Sequence, residues 1–532
     1  MIYSTLQRSA SMRERIGRNE ARVEAPLGSG SAIPAPRAPL RRMSVVARNA
    51  AAVLGAQLVI KLLGFGFSVY VVRRLGDAQF GRYSSVIAYV AVTMMLTDLG
   101  TSTYSAREMA RRDDEARSMV PDISALRVLL SLLVGAGLAL AAWLVHKPPD
   151  IVVGVCLASA GVLVYAVQGP LETMLIARER LDSVARLRLI NQVVYVVLGA
   201  ALLLTGSGYL GLLVASLAGV LAMLLACTYI VAGVWRIRFD RPQPRHWRSL
   251  LRSSWPFAVS AAAGELARRF DTVFMSFALT DAAVGWYNVP FNLILMTLLV
   301  PQALGTALFP SLVKEYDSGR GSIRDTVRRA VRYVLLLSLP MSLGGMLLAE
   351  PIIHCLYGSA FAPAVPVMRV IVWALPGLFL AEILGRTANT MHLERRVAPL
   401  SVVAALLNVA FVVTLVPSYG TPGAALAMVA TAVAGVVLSS LIIGPRLLWG
   451  GSGWMFVRLG GSAVIMSALL LMLRGSGPVA RLPAPSAMLL LVSAGALAFA
   501  VSAWLFGAVS TREIRLLGCV LLPWLKQTDG LS

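Results

Sequence analysis

Runs of about 20 apolar residues recur along nearly the whole chain, separated by short polar stretches. Twenty helical residues are about the length that crosses the hydrocarbon of a bilayer. The pattern reads as a series of bilayer-embedded helices rather than one large soluble core. Composition agrees: 14% of the 532 residues are charged and 57% are hydrophobic, whereas soluble domains carry roughly 25% charged residues. Most of the surface therefore does not face water.

The runs predict an all-α polytopic membrane protein of about fourteen transmembrane helices. The spans fall near 47–72, 83–104, 124–145, 151–176, 189–206, 209–234, 255–279, 288–312, 331–349, 368–391, 400–417, 424–447, 455–473 and 486–508. A net charge of +22 invites a nucleic-acid partner. The basic residues lie between the apolar runs and are not pooled on one domain, so none is expected. They crowd the N-terminal tail and alternate loops, while the opposite loops hold only Arg73, Arg74, Arg82, Lys147, Arg474 and Arg481. By the positive-inside rule both termini are cytoplasmic. Residues 1–46 lack an apolar stretch and read as a disordered basic tail rather than a signal peptide. Arg320, Arg324, Arg328 and Arg332 form a basic helical stripe, and Ile514, Leu517, Leu521 and Leu525 an apolar one. Both predict helices lying at the cytoplasmic interface, the second within 511–532.

Neither catalysis nor metal binding is signalled. Cys156, Cys227, Cys355 and Cys519 are dispersed, as are His146, His246, His354 and His392. No disulfide framework, metal site, catalytic residue or cofactor is expected.

The chain repeats itself. Leu75–Tyr83 reads LGDAQFGRY and Leu279–Tyr287 reads LTDAAVGWY, with Leu, Asp, Ala, Gly and Tyr matched at a constant offset of 204. Six spans separate the copies, so both run the same way through the membrane. Their symmetry axis then lies along the membrane normal. Two six-helix lobes facing a central cavity are predicted, an N-lobe over 47–250 and a C-lobe over 251–449. Two further helices over 450–510 lie outside the repeat and flank a lateral opening.

Several stretches resemble the polysaccharide-transporter family of Wzx-type oligosaccharide flippases, in the superfamily that includes MATE exporters and the lipid II flippase. They are RRLGDAQFGRY (73–83), DLGTSTYSAREMAR (98–111), RRFDTVFMSFALTDAAVGWY (268–287), the segment Pro301–Pro310, LLAEPIIHCLYGSAF (347–361) and LLNVAFVVTLVPSYGTPGAALA (406–427). Together they cover most of 47–430. The resemblance implies a non-enzymatic transporter in the bacterial inner membrane, with a polyprenyl-pyrophosphate-linked oligosaccharide as substrate. Membrane lipids, a coupling ion (H+ or Na+) and polysaccharide assembly machinery are its implied partners.

Ionisable residues within spans are costly, about 2.5–3.5 kcal/mol each on insertion scales, and face a cavity or a partner. Span seven carries Glu265, Arg268, Arg269 and Asp271, and span one carries Lys61, whose repeat counterpart is Glu265. One reading is a cationic cavity for a pyrophosphate, since guanidinium and ammonium groups match phosphate oxygens. Lys61, Arg268, Arg269, Arg127 and Arg386 are its candidate substrate ligands, with Glu265, Asp271, Glu382 and Asp98 as coupling or pairing carboxylates. The other reading is mutual neutralisation that locks the lobes, with Glu265 at pairing distance from Arg268 or Arg269, Arg268–Asp271 as an i,i+3 pair, Glu382–Arg386 as an i,i+4 pair, and Asp98–Arg127 pairing between spans two and three. Pro340 and Pro376 predict kinks in spans nine and ten. Two other functions fit membership of this class of fold less directly: a MATE-like multidrug or metabolite cation antiporter, and a membrane glycan polymerase or ligase.

Overall fold

Alternate arms of the chain pack as antiparallel helices, and among the described residues there is no strand. The computed structural model describes residues 38–112, 115–234, 239–317, 323–391, 393–444, 453–476 and 481–508. The C-terminal amphipathic segment, Arg320 and tail residues 1–37 lie outside them. Residues 38–46, expected within the disordered tail, are already helical.

The first lobe is built from α1 (Ala38–Asp98), α2 (Thr101–Arg111), α3 (Ala116–Leu144), α4 (Pro149–Ala177), α5 (Leu181–Leu204) and α6 (Gly208–Thr228). The second comprises α7 (Trp247–Ala278), α8 (Asp281–Thr297), α9 (Leu299–Asp317), α10 (Ile323–Leu347), α11 (Ala349–Tyr357), α12 (Ala364–Ile371), α13 (Ala374–Thr390) and α14 (Glu394–Ile443). Helices α15 (Gly453–Arg474) and α16 (Ala484–Leu505) follow as an antiparallel pair packed on the second lobe through α10 and α11. Nine helices among the described residues are long and apolar enough to cross a membrane, or ten if the bent pair α12–α13 counts as one span. The protein is a multi-pass membrane protein.

Two expectations are corrected and a third is sharpened. The loop expected around Arg73–Arg82 is a bend within α1, where Gly76 alone leaves helical geometry, at φ 72°. A residue with a Cβ meets steric strain there. The basic stripe on Arg324, Arg328 and Arg332 is not a separate interfacial helix but the first turns of α10, continuous with the apolar span up to Leu347. Span ten breaks by 42° between Ile371 and Ala374. Pro376 sits in the first turn of α13, and the break falls at Val372, the residue whose carbonyl its missing N–H would have bonded, so the proline interrupts the span four residues before itself.

At the end of the bundle that carries the Gly76 bend, the two repeats meet each other. Thr280 caps α8, its hydroxyl accepting from the Ala283 amide at 3.3 Å. A Cβ added at Gly81 would lie 1.7 Å from the Asp281 carbonyl oxygen, and one at Gly285 would lie 2.4 Å from that of Asp77. Gly81 and Gly285 are repeat counterparts, as are Asp77 and Asp281. The same backbone contact is therefore made twice across a pseudo-two-fold axis. At the far end α2 packs against α7. There the connection between lobes is pinned to α3, because Asp122 accepts from the Gln243 amide at 2.6 Å and lies 2.8 Å from the His246 ring. The lobes touch at both ends.

Gly81→Ala and Gly285→Ala should each lower the thermal midpoint of the purified protein, by an overpacking cost of about 1–3 kcal/mol. Gly264→Ala, where a methyl group meets nothing within 4 Å, should not. Melting curves in detergent check this; a G285A protein as stable as the parent would mean that the hairpins are not in backbone contact.

Candidate functional site

Between the lobes lies a chamber of about 440 Å³. Its wall comes from both arms of α1, from α5, α7 and α8, and from Tyr357 of α11. Lys61 and Arg269, one from each lobe, both line it, and among the described residues no carboxylate does. Helical spacing explains the wall: Lys61, Phe65 and Ser68 follow at i, i+4 and i+7, and Asn288 and Asn292 at i and i+4, so each set shares one face. Among the described residues the Lys61 ammonium has no hydrogen-bond or ion-pair partner. Arg269 is only loosely neutralised, its Nε standing 3.6 Å from a Glu265 oxygen.

The other site candidates are placed differently. Arg268 is 62% exposed, does not line the chamber, and is paired with Glu265. The expected Arg268–Asp271 pair is not formed. Asp271 is buried and accepts instead from the Tyr287 hydroxyl and from the Thr272 amide at 2.7 Å. Both partners satisfy i+3 spacing from Arg268, but Asp271 points into packed helices while Glu265 shares the more exposed side. Arg127 is also off the chamber: it is 2% exposed and is spent on Asp98 together with the hydroxyls of Thr101 and Ser102. Glu382 and Arg386 pair at 2.9 Å, as their spacing predicts, and Arg386 also reaches the Gln302 carbonyl at 3.4 Å.

Uncharged residues complete the chamber, and sequence reasoning missed them. The Tyr83 and Tyr195 hydroxyls are bonded to each other at 2.9 Å, and Gln192, Asn288 and Asn292 lie nearby in the wall. The signal available was a polar residue at helical spacing inside an apolar run, as at Asn288 and Asn292.

At the bend end of the bundle polar contacts tie the two lobes together and brace the first. Arg82 donates to Asp281 at 2.9 Å and to Asp150 at 2.7 Å, and Tyr209 also donates to Asp150, at 3.1 Å. The hydrogen bond to Asp281 raises the Arg82 pKa above its ordinary value, against desolvation that lowers it. The repeat counterpart of Arg82 is Trp286, whose indole N–H donates to Asp77 at 3.1 Å. Lys147 donates to the Ser276 carbonyl and stands 4.6 Å from the centre of the Phe277 ring. Arg73, expected in a loop, donates to the Leu356 carbonyl at 2.7 Å, at the C-terminal end of α11. Cations at such an end are favoured by the helix dipole.

A second cavity, of about 690 Å³, opens between the second lobe and α15–α16. Its lining is almost wholly apolar, including Leu336, Met341, Val372, Leu470, Leu491 and Phe499. Leu293 borders both cavities, so α8 is the partition between a polar space and an apolar one. At the bend end α15 is fastened to the second lobe by Arg474, which bonds Glu350 at 2.5 Å.

Two like-oriented lobes around a polar chamber define a membrane transporter fold. It is shared by the solved structure of a lipid II flippase, MurJ, in an inward closed conformation: TM-score 0.69 at 12% identity, over 86% of this chain and 98% of that one. An inward-facing multidrug resistance MATE family transporter of the MOP superfamily matches with TM-score 0.54 at 16% identity, over 73% of this chain and 95% of that one. The family model for polysaccharide biosynthesis proteins matches residues 46–315, just over half of the chain, and that for MatE matches 256–414. The chain belongs to the polysaccharide biosynthesis protein family. A probable low-salt glycan biosynthesis flippase of Haloferax volcanii, Agl15, is 24% identical over 55% of this chain. A probable flippase of the same organism, AglR, is 24% identical over 38% of it. The matches span 61% and 44% of the length of those two relatives.

Asp98→Ala should strand the buried Arg127 guanidinium without its carboxylate and destabilise the protein by about 3–5 kcal/mol. Arg386→Ala, from a pair about 30% exposed, should cost about 1 kcal/mol or less. Thermal midpoints of the two purified variants give the comparison; equal losses would contradict the difference in burial.

Proposed function

We propose that the protein is a flippase that moves a lipid-linked oligosaccharide across the bacterial cytoplasmic membrane by alternating access. The observation that carries this reading is the pairing of Lys61 and Arg269, from opposite lobes, on one chamber wall that holds no carboxylate among the described residues. Such a chamber favours an anion. A guanidinium and an ammonium match the oxygens of a pyrophosphate, and the apolar cavity beyond Leu293 suits a polyprenyl tail. The names of the two archaeal relatives point the same way.

The two arms of α1, the two arms of α14, the bent pair and the charged α7 bring the spans to fourteen under this reading. The basic loops put both termini in the cytoplasm and the Gly76 bend outside. The tied bend end is then the outer gate, and the substrate enters from the inner leaflet. Rocking of one lobe against the other about the axis along the membrane normal would break the contacts of Arg82, Trp286, Lys147 and Arg73 and release the head group outward. An inside-negative potential helps an anion outward by about 2.3 kcal/mol per charge per 100 mV. A coupling ion, H+ or Na+, would act at Asp271, the buried carboxylate held by Tyr287, or at Glu265. The exported glycan would pass to surface-polysaccharide assembly machinery.

A cation antiporter is the second reading, favoured by the MatE match over 256–414. It requires a carboxylate to meet the drug, and the nearest candidate, Glu265, is spent on two arginines.

Lys61→Ala and Arg269→Ala proteins should reach the membrane yet lose glycan export at least tenfold, the effect of removing one charge-assisted bond of about 1.5–3 kcal/mol. Lys61→Arg should keep much of it, and Arg268→Ala nearly all. Surface glycan measured by immunoblot or by radiolabelled sugar gives the readout. Normal export in both alanine variants would refute the anionic chamber; binding of a cationic dye that Glu265→Ala abolishes would favour the antiporter.

A further inference from the structure

The second lobe opens on a helix whose first turns carry charge that no carboxylate answers. Arg245, Arg248 and Arg252 stand between Asp240 and Glu265, and no acidic residue does. They follow at i, i+3 and i+7, so one face of α7 and of the turn leading into it carries all three. Each is exposed, and among the described residues none has a hydrogen-bond or ion-pair partner. The same face continues into Trp255, 65% exposed, and Val259, 37% exposed. About 20 Å of one face thus passes from guanidinium groups through an indole to an aliphatic side chain. None of these residues lines the chamber. The opposite face is taken by the first lobe. Leu250 packs with Met109, Met174, Leu175 and Cys227. Ser254 is fully buried, and a Cβ added at Gly100 would lie 2.7 Å from its carbonyl oxygen. The spacing also recurs: Arg41 and Arg48 of α1 stand at the repeat offset of 204 from Arg245 and Arg252.

We infer that this face of α7 is a binding site for an anionic phospholipid, whose phosphodiester head lies among Arg245, Arg248 and Arg252 and whose acyl chains run along Trp255 and Val259. Guanidinium groups grip phosphate oxygens in pairs. Three of them with no carboxylate between hold an excess of positive charge that a zwitterionic head neutralises poorly. Basic clusters beside a membrane-embedded helix attract anionic lipid in this way. Indole rings settle at the depth of lipid headgroups, which suits Trp255, one turn below Arg252. A soluble acidic protein or a nucleic acid would meet the arginines and leave Trp255 and Val259 uncovered. A lipid covers the whole stripe. Under the orientation proposed above, these turns meet the inner leaflet. The lipid is resident rather than cargo, because its site is separate from the chamber. It holds the start of the second lobe's first helix at the leaflet surface, on the side turned away from the first lobe.

The test is native mass spectrometry of the full-length protein in detergent, titrated with dioleoyl phosphatidylglycerol or dioleoyl phosphatidylcholine. The two lipids share their tails and differ in the charge of the head. Phosphatidylglycerol should bind about tenfold tighter or more, since one arginine beside a lipid surface is worth about fivefold. Arg245→Gln, Arg248→Gln and Arg252→Gln together should abolish that preference, and each alone should lower it by about fivefold. These arginines are exposed and unpaired, so the variants should keep the melting point of the parent. Trp255→Ala should weaken both lipids alike. A control triple, Arg111→Gln with Arg112→Gln and Arg186→Gln, removes equal charge from exposed arginines already paired with carboxylates. It should keep the preference. Equal binding of both lipids by the parent, or an equal loss in the control triple, would overturn the site. Displacement of the lipid by water-soluble glycerophosphoglycerol would assign the arginines to a free phosphate and overturn the lipid. Displacement by polyglutamate, with Trp255→Ala silent, would assign them to an acidic protein and overturn it too. No transported substrate enters the assay, so its failure leaves the flippase reading untouched.

Discussion

A charged or strongly polar side chain inside hydrocarbon has two stable fates: it is spent on a partner, or it faces a polar space. The architecture sorts its intramembrane groups accordingly. Asp98 and Arg127 are spent on each other, as are Glu382 and Arg386, and buried Glu172 takes Arg188 at 2.8 Å and Gln168 at 3.1 Å. Asp271 is held by Tyr287. Among the candidate site residues what remains is Lys61, and Arg269 in part, and both open on the one chamber. Removing Asp98 or Arg188 would leave buried Arg127 or Glu172 a charge without its partner, which ties the packing of the first lobe to these pairs.

Helix content, the repeat and the two-lobed plan were legible in the sequence because each rests on periodicity: apolar runs of span length, and a motif returning at a fixed offset. Pairing by spacing was legible where one partner was available, as for Glu382 and Arg386. At Arg268 it left two partners open, since Glu265 and Asp271 stand at the same separation on either side and only the packing of α7 chooses Glu265. Lys61 and Arg269 could be singled out by charge alone. Gln192, Tyr195 and Asn292 could not, since uncharged polar residues cost too little in an apolar run to stand out, and which face of a helix meets the chamber depends on neighbours far away in sequence.

Symmetry holds in the backbone and is abandoned in the side chains. The hairpins keep Gly in both copies because the close approach demands it, and Asp in both because each carboxylate takes a donor from the other lobe. Yet Arg82 in one copy answers to Trp286 in the other, so that one carboxylate receives a charged fork and its counterpart an indole N–H. Lys61 answers to Glu265, and Phe65 to Arg269. A chamber lined equally by both lobes would present like groups on opposite walls. This one presents a cation and an amide from each lobe, Lys61 and Gln192 against Arg269 and Asn292, set in unlike surroundings.

The doubled contact of Gly81 with Asp281 and Gly285 with Asp77 is isologous, with residue i meeting residue j while j meets i, the arrangement found between identical subunits of a two-fold dimer. A single ancestral half-protein bearing this hairpin would have met its own copy through the same surface. Fusion of two such halves, one following the other in the same membrane orientation, would have kept the interface intact. It would also have freed each copy to mutate alone, which a homodimer cannot do. The unequal walls of the chamber are what that freedom permits.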